Sequence, residues 1–311
     1  MRTFARLLPI APVLLLTGCV DFAEFGDSEA FKEDFHHAYP LNAGGTVSVE
    51  TFNGSVEVVG WEQNSVEVNA TKYASTKWAL DAIKIDVSAT SGSIRIRADR
   101  ATEMHHNSGA RFTIRVPRQS MLDEISTSNG QLRIEDVEGN ARMRTSNGAI
   151  RLIRVKGEMD ARTSNGAIEA DDLNGDARFH TSNGAIRAEI THGGLDAVTS
   201  NGSITARLND TSSNSGVHVE SSNGHIELRV ESKQTPSIRA STSNSSIVLR
   251  LPDGANADVE AHTSHSSVVS EFSGVDTNNE HGRGEMHGRI GSGGHRIELS
   301  SSNGSIKILK F

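Results

Sequence analysis

Four aspartates are the first residues to weigh for chemistry. Asp171 and Asp172 adjoin each other, and Asp160 and Asp196 occupy equivalent places in two copies of a repeated unit. Glycoside hydrolysis needs two acids on one face, one to protonate the leaving oxygen and one to attack or to activate water. The column that holds Asp160 and Asp196 also holds Arg142 and Arg178, so acid and base alternate copy by copy. That pattern reads as a surface ion-pair ladder more readily than as a catalytic pair. His262, His265, His281, Glu285, His287 and His295 gather towards the C-terminus, but their spacing follows no zinc-ligand pattern, so neither a metal nor a cofactor is expected. Recurrent Ser-Asn-Gly turns are rich in glycine, yet no helix follows them and no Lys is placed to reach a phosphate. Arg133, Arg142, Arg144, Arg151, Arg162, Arg178 and Arg187, with Arg154 among them, form the one candidate binding surface, suited to anionic glycans or lipid headgroups. Glu135, Asp136, Glu138, Glu158, Asp160 and Glu169 are interspersed and would offset it.

The elements that must carry these residues are set by a repeat. Ser-Asn-Gly recurs with its Asn at 129, 147, 165, 183 and 201, and again at Asn223 and Asn303. Degenerate copies place Asn53, Ser91, Asn244 and His265 there. The intervals 53 to 91, 91 to 129 and 265 to 303 are each 38, which reads as two coils with one marker lost. Three residues after the marker stand Val56, Ile94, Leu132, Ile150, Ile168, Ile186, Ile204, Ile226, Ile247, Val268 and Ile306. Four residues before it stand Val49, Val87, Ile125, Met143, Ala161, Phe179, Ala197, Val219, Ala240, Ala261 and Leu299. Polar residues alternate with them, so each copy holds two short strands with one buried face. A meander of hairpins would satisfy the same alternation, because Asn-Gly favours tight hairpin turns. It would leave a long apolar face uncovered. The preferred architecture is all-β, a single-stranded parallel β-helix (β-solenoid) with coils of about 18–22 residues, in which like residues stack. The Thr145, Thr163, Thr181, Thr199 and Asn147, Asn165, Asn183, Asn201 columns are then expected to form side-chain ladders. About fourteen coils at roughly 4.8 Å each are expected. Residues 74–83 break the rhythm as a helical excursion or loop, and the Gly-rich stretch 281–294 reads as a loop.

The N-terminus carries an address. Arg2 and Arg6 precede an apolar run, Leu7 to Leu16, which is too short to span a bilayer. It ends in Leu16-Thr17-Gly18-Cys19, which resembles the lipobox of bacterial lipoproteins, and Cys19 is the only cysteine of the chain. The resemblance implies a signal peptide over 1–18, lipidation of Cys19 and anchoring of the mature chain in a membrane. Val20 rather than Asp follows the Cys, which by the same resemblance implies the outer membrane of a Gram-negative envelope. Losing the leader removes two arginines and no acid, taking the net charge from -8 to -10. Such an acidic chain is no nucleic-acid binder. Residues 19–42 read as an acidic tether carrying Phe22, Phe25, Phe31 and Phe35, some of which cover the exposed end of the following domain, with contact to a partner or the membrane surface as the alternative, and residues 43–311 read as the solenoid.

The repeat itself also resembles a known family. Gly44-Gly45-Thr46-Val47-Ser48-Val49, Asn53-Gly54-Ser55-Val56-Glu57-Val58, Gly60-Trp61 and Arg115-Val116-Pro117 are similar to the bacterial β-strand-repeat proteins catalogued as a domain of unknown function and labelled "putative adhesins". The resemblance implies a surface-exposed β-helical domain and brings no catalytic residues. The function expected is therefore a non-catalytic, lipid-anchored cell-envelope protein, adhesin-like or structural, with envelope glycans or proteins as partners. The alternatives are a carbohydrate-active β-helix enzyme, either polysaccharide lyase or hydrolase, and a periplasmic envelope-stress adaptor.

Overall fold

A computed structural model describes residues 29–100, 108–210, 215–232, 235–280 and 282–311. The chain opens with β1 (Phe31–Pro40), β2 (Gly45–Thr51), β3 (Val56–Trp61) and β4 (Ser65–Ala74). A one-turn helix α1 (Lys77–Asp81) follows, then β5 (Ile83–Ala89), β6 (Ser93–Arg100), β7 (Ser108–Pro117), β8 (Ser120–Thr127) and β9 (Leu132–Glu135). Regular pairs come next: β10 (Ala141–Thr145) and β11 (Ile150–Lys156), β12 (Met159–Arg162) and β13 (Ile168–Asn174), β14 (Ala177–Thr181) and β15 (Ile186–His192). They continue as β16 (Leu195–Thr199) and β17 (Ile204–Asp210), β18 (Val217–Ser221) and β19 (Ile226–Val230), β20 (Ile238–Thr242) and β21 (Ile247–Leu251). The chain closes with β22 (Ala257–Thr263), β23 (Val268–Ser270), β24 (Val275–Glu280), β25 (Arg283–Ile290), β26 (Arg296–Ser301) and β27 (Ile306–Lys310).

The expected β-solenoid is what forms. Each Ser-Asn-Gly turn sends the chain from a 14-stranded sheet to a 13-stranded sheet, and successive regular coils pair in parallel. Ile150 lies beside Leu132 on one side and Ile168 on the other, and Ile186 beside Ile204. The inward columns of both sheets are buried and form one continuous core. Each such Ile or Leu contributes about 1.5–3 kcal/mol through burial. Phe179 fits this narrow interior because Ala161 and Ala197 flank it along its own sheet, and Ala170 and Ala188 stand in the opposing column.

The polar columns at the turn work differently from the ladder expected of threonine. Thr145 does not bond to Thr163. Its hydroxyl donates to the Gly130 carbonyl of the coil below at 3.1 Å and accepts the Gly148 N–H of its own turn at 3.2 Å. Thr163, Thr181 and Thr199 repeat this arrangement. A buried hydroxyl is thus satisfied twice and ties each turn to its neighbour. The asparagines do form the expected side-chain ladder, from Asn129 through Asn147, Asn165, Asn183, Asn201, Asn223 and Asn244 to Asn303, each step 2.7–2.8 Å.

The ends of the stack depart from the sequence reading. The 38-residue intervals do not hold two coils. Setting aside the antiparallel strands β1, β4, β5, β24 and β25 leaves, among the described residues, eleven coils rather than the fourteen expected. The Ser91 marker is the turn of an antiparallel hairpin joining β5 to β6. β2 and β3, early in the chain, lie between the β6–β7 coil and the β8–β9 coil. β26 and β27, last in the chain, lie between the β20–β21 coil and the β22–β23 coil. The stretch 281–294, read as a loop, is largely strand β25, paired with β22 and β24. Residues 74–83 do contain the helical excursion, with Thr76 accepting the Ala79 N–H as its N-cap. Residues 31–40, read as the distal segment of a tether, are strand β1, hydrogen-bonded antiparallel to β4, and Phe35 and Tyr39 pack against the end of the core. The proximal segment of that tether, with Leu16, Thr17, Gly18 and Cys19, lies outside the described residues.

Candidate anion-binding surface

The repeat decides which side chains reach the surface. Between buried positions on each strand stand outward positions, and the parallel register sets those of successive coils one above another. The arginines named from the sequence are therefore sorted onto two opposite sheets. Arg133, Arg151 and Arg187 rise in one column of the 13-stranded sheet. Arg142, Arg144, Arg162 and Arg178 stand on the 14-stranded sheet.

The first group is balanced. Arg133 pairs with Glu57 at 3.2 Å and with Glu135 at 2.6 Å, and Arg151 pairs with Glu169 at 2.8 Å. Arg187 has no ion pair among the described residues. These arginines and Arg207 line a shallow depression of about 650 Å³, which Glu169, Asp171 and Glu189 line as well. Nearby, Arg154 stands in the left-handed region at φ 50, above Asp136 at φ 58. Its guanidinium grips both oxygens of Asp136, at 2.8 and 2.9 Å, and also reaches Glu135. The fork geometry makes this a strong pair. Hydrogen bonds from Arg154 hold the carboxyls of Glu135 and Asp136 below the usual range. The Arg154 guanidinium is correspondingly pushed up.

The second group is less balanced. Arg144 lies directly beside Arg162, and Arg162 beside His180, in consecutive coils. Arg162 is held by Asp160 of its own strand at 2.8 and 3.1 Å, a contact that raises its pKa. Arg142 reaches Asp123 at 3.5 Å. Arg144 and Arg178 have no ion pair among the described residues. The column Arg142, Asp160, Arg178, Asp196 does stack in the alternating order read from the sequence. The expected ladder of ion pairs along it does not form, because Asp160 turns to Arg162 and Arg142 to Asp123. His180 was not named among the candidate residues, although its place, 18 residues after Arg162, puts it in the same column.

The candidate acids do not converge. Asp171 and Asp172 lie on β13, and Asp160 and Asp196 lie on β12 and β16 of the opposite sheet. Asp160 and Asp196 are separated by the whole strand that carries Arg178. Asp172 accepts the Thr191 hydroxyl at 2.7 Å. His262 and Glu285 approach to 4.0 Å, but among the described residues no three His, Cys, Asp or Glu gather as a metal set. His281 lies outside the described residues.

The model of the Toastrack DUF4097 family matches residues 41–217 and 207–309. The chain belongs to that family. The Toastrack match runs through every regular coil described above and both inserted ones. Among solved structures, a "putative adhesin" from Bacteroides fragilis NCTC 9343 is 13% identical, with a TM-score of 0.39, covering 89% of this chain and 97% of that one. Another, from Parabacteroides merdae ATCC 43184, is 8% identical with a TM-score of 0.37, covering 90% and 96%. A third, from Parabacteroides distasonis ATCC 8503, is 8% identical with a TM-score of 0.37, covering 92% and 98%. No curated protein matches.

Proposed function

We propose that this Toastrack protein is a non-catalytic, lipid-anchored component of the bacterial cell envelope that binds anionic glycans, in an adhesin-like manner, through its 14-stranded sheet. One observation carries the reading: Arg144, Arg162 and His180 stack in register on consecutive coils, and Arg144 has no acidic partner among the described residues. Stacking at roughly 4.8 Å keeps the Arg144 and Arg162 guanidiniums close, a cost that an extended polyanion laid along the column would relieve. Acylation at Cys19 would fix the base of the rod in the outer membrane, and among the described residues no helix is long and apolar enough to cross a membrane. The dispersal of Asp160, Asp171, Asp172 and Asp196 over two sheets supports the non-catalytic reading over the glycan-cleaving one.

The test is retention on an immobilised acidic polysaccharide at rising salt. The wild-type chain should be retained at low ionic strength, and Arg144→Glu with Arg162→Glu should abolish retention while the melting temperature holds. Retention unaffected by these substitutions would refute the assignment of the face, and shortening of the polysaccharide during incubation would refute the non-catalytic reading. Cys19→Ala should move the chain from the membrane fraction to the soluble fraction.

A further inference from the structure

Strand β1 belongs to neither the parallel stack nor the basic face. It bonds to β4 along one edge only and ends the 13-stranded sheet. Its other edge offers a row of backbone N–H and C=O groups with no strand beside them among the described residues. Eight of its ten residues are exposed. Proteins usually blunt such an edge with a bulge, with brevity, or with Lys and Pro. β1 is ten residues long, runs without a register shift, and keeps Lys32 and Pro40 near its ends, so its middle is open.

The sequence of that open stretch complements itself. We propose that β1 pairs antiparallel with β1 of a second copy of this chain, about a two-fold axis beside Phe35. In this register Asp34 faces the partner's His36, and Glu33 faces the partner's His37. Phe31 faces the partner's Tyr39, and Phe35 faces the partner's Phe35. Every pair occurs twice except the central one, as a closed two-fold interface requires. Opposite-charge and aromatic pairs directly across strands are the stabilising ones. Sliding the register by two residues one way sets Asp34 against the partner's Asp34. Sliding it the other way sets His36 against the partner's His36. Both lose all four acid–imidazole pairs, so these pairs specify the alignment.

Side-chain directions agree with the pairing. Phe31, Phe35, His37 and Tyr39 lie on the face whose β4 neighbours, Ala74, Ala70, Val68 and Val66, are buried core residues. Phe31 is 40% exposed in the single chain, and the partner's Tyr39 would cover it. On the other face, Asp34 accepts the Thr71 hydroxyl at 2.8 Å and His36 bonds to Asn69 at 2.5 Å. These contacts hold the acid and the imidazole in place before a partner arrives, which lowers the ordering cost of association. The pairing is strand addition at a sheet edge, with the second copy supplying the strand.

Sedimentation of the full chain in detergent at mildly acidic pH, where an ordinary imidazole is protonated, and over a wide concentration range, tests the proposal. The wild type should show a reversible monomer–dimer equilibrium. Asp34→Lys leaves both facing pairs basic, and His36→Glu leaves both acidic, so each variant alone should dimerise at least about tenfold more weakly. An equimolar mixture of the two restores opposite charges and should dimerise as the wild type does. Phe31→Glu, at a position exposed in the monomer, should weaken the dimer about tenfold without lowering the melting temperature. A wild type that stays monomeric throughout overturns the proposal. So do charge variants that dimerise as tightly as the wild type, or a mixture that fails to recover.

Discussion

Gly148 stands so close above Gly130 that a β-carbon on Gly148 would lie 1.7 Å from the Gly130 carbonyl oxygen. The same clash recurs at Gly166, Gly184, Gly202 and Gly224, each against the glycine of the coil below. None of these glycines lies in the left-handed region, so the reason for glycine is contact between backbones, not the freedom of φ that an Asn-Gly turn suggests in a sequence. The atom in the way is backbone, which cannot swing aside. Gly148→Ala should therefore push adjacent coils away from each other and destabilise the protein beyond the roughly 0.5–3 kcal/mol of most substitutions. Gly92, whose added β-carbon meets nothing within 4 Å, is the matched control, and Gly92→Ala should change stability little. Urea unfolding of the two variants checks the contrast.

The asparagine ladder offers a graded test. Asn165 donates to Asn147 at 2.7 Å and accepts from Asn183 at 2.8 Å, whereas Asn129, at the foot of the ladder, only accepts from Asn147. A typical net hydrogen bond contributes about 0.5–1.5 kcal/mol. Asn165→Ala should cost about 1–3 kcal/mol, and Asn129→Ala about half of that. Equal losses in chemical denaturation would mean that the ladder does not act through its side-chain bonds.

How much of this was legible in the sequence depended on the range of the interaction. The inward columns, the turns and the Asn ladder follow from periodicity, because residues 18 apart meet residues 18 apart and the pattern is local to each coil. The ends were not legible for the opposite reason. β2–β3 and β26–β27 have the same alternation wherever they sit in the stack, so nothing local reveals that they are inserted out of order. One signal was present. His265 stands where other copies have Asn, and it belongs to an end coil that no further amide ladder needs to cross. Asn303, last in the chain yet with the full Ser-Asn-Gly marker, continues the ladder from Asn244. The arginines were legible as a group but not as two groups, because their division between sheets depends on which side of the turn each one falls.

Acidification should expose the contribution of the Arg154 clamp. Glu135 and Asp136 both titrate below the usual carboxylate range in the folded chain, chiefly through hydrogen bonds from Arg154. A folded pKa below the unfolded one gives stability that is fully present above the unfolded value, near pH 4, and is lost as pH falls through the folded value. Arg154 is half exposed, so the effect is small and should weaken with salt. The melting temperature of Arg154→Ala should lie below that of the wild type at neutral pH, and the gap should close in strong acid. A gap that persists once both carboxyls are protonated would show that Arg154 acts through packing or its left-handed backbone instead.

The inserted C-terminal coil leads to a prediction opposite to that for an ordinary solenoid. In a simple stack, losing the last coil in sequence removes only one outer interface, and the remainder keeps its neighbours. Here β26 lies between β20 and β22, and β27 lies between β21 and β23. A chain ending at Gly294 would lose Ile297, Leu299, Ile306 and Ile308, all buried, and would leave two facing apolar layers without the coil that joins them. It would also cut the Asn244–Asn303 bond and the hydroxyl bond from Thr263 to the Gly304 carbonyl at 2.8 Å. The truncated chain should lose cooperative melting in its C-terminal coils, from Ile238 onward, and become open to protease there, while the regular coils from Ala141 to Asp210 stay protected. Limited proteolysis read by mass spectrometry checks this. If cleavage is confined to residues after Ala257, the last coils are stacked in sequence order and the insertion is wrong.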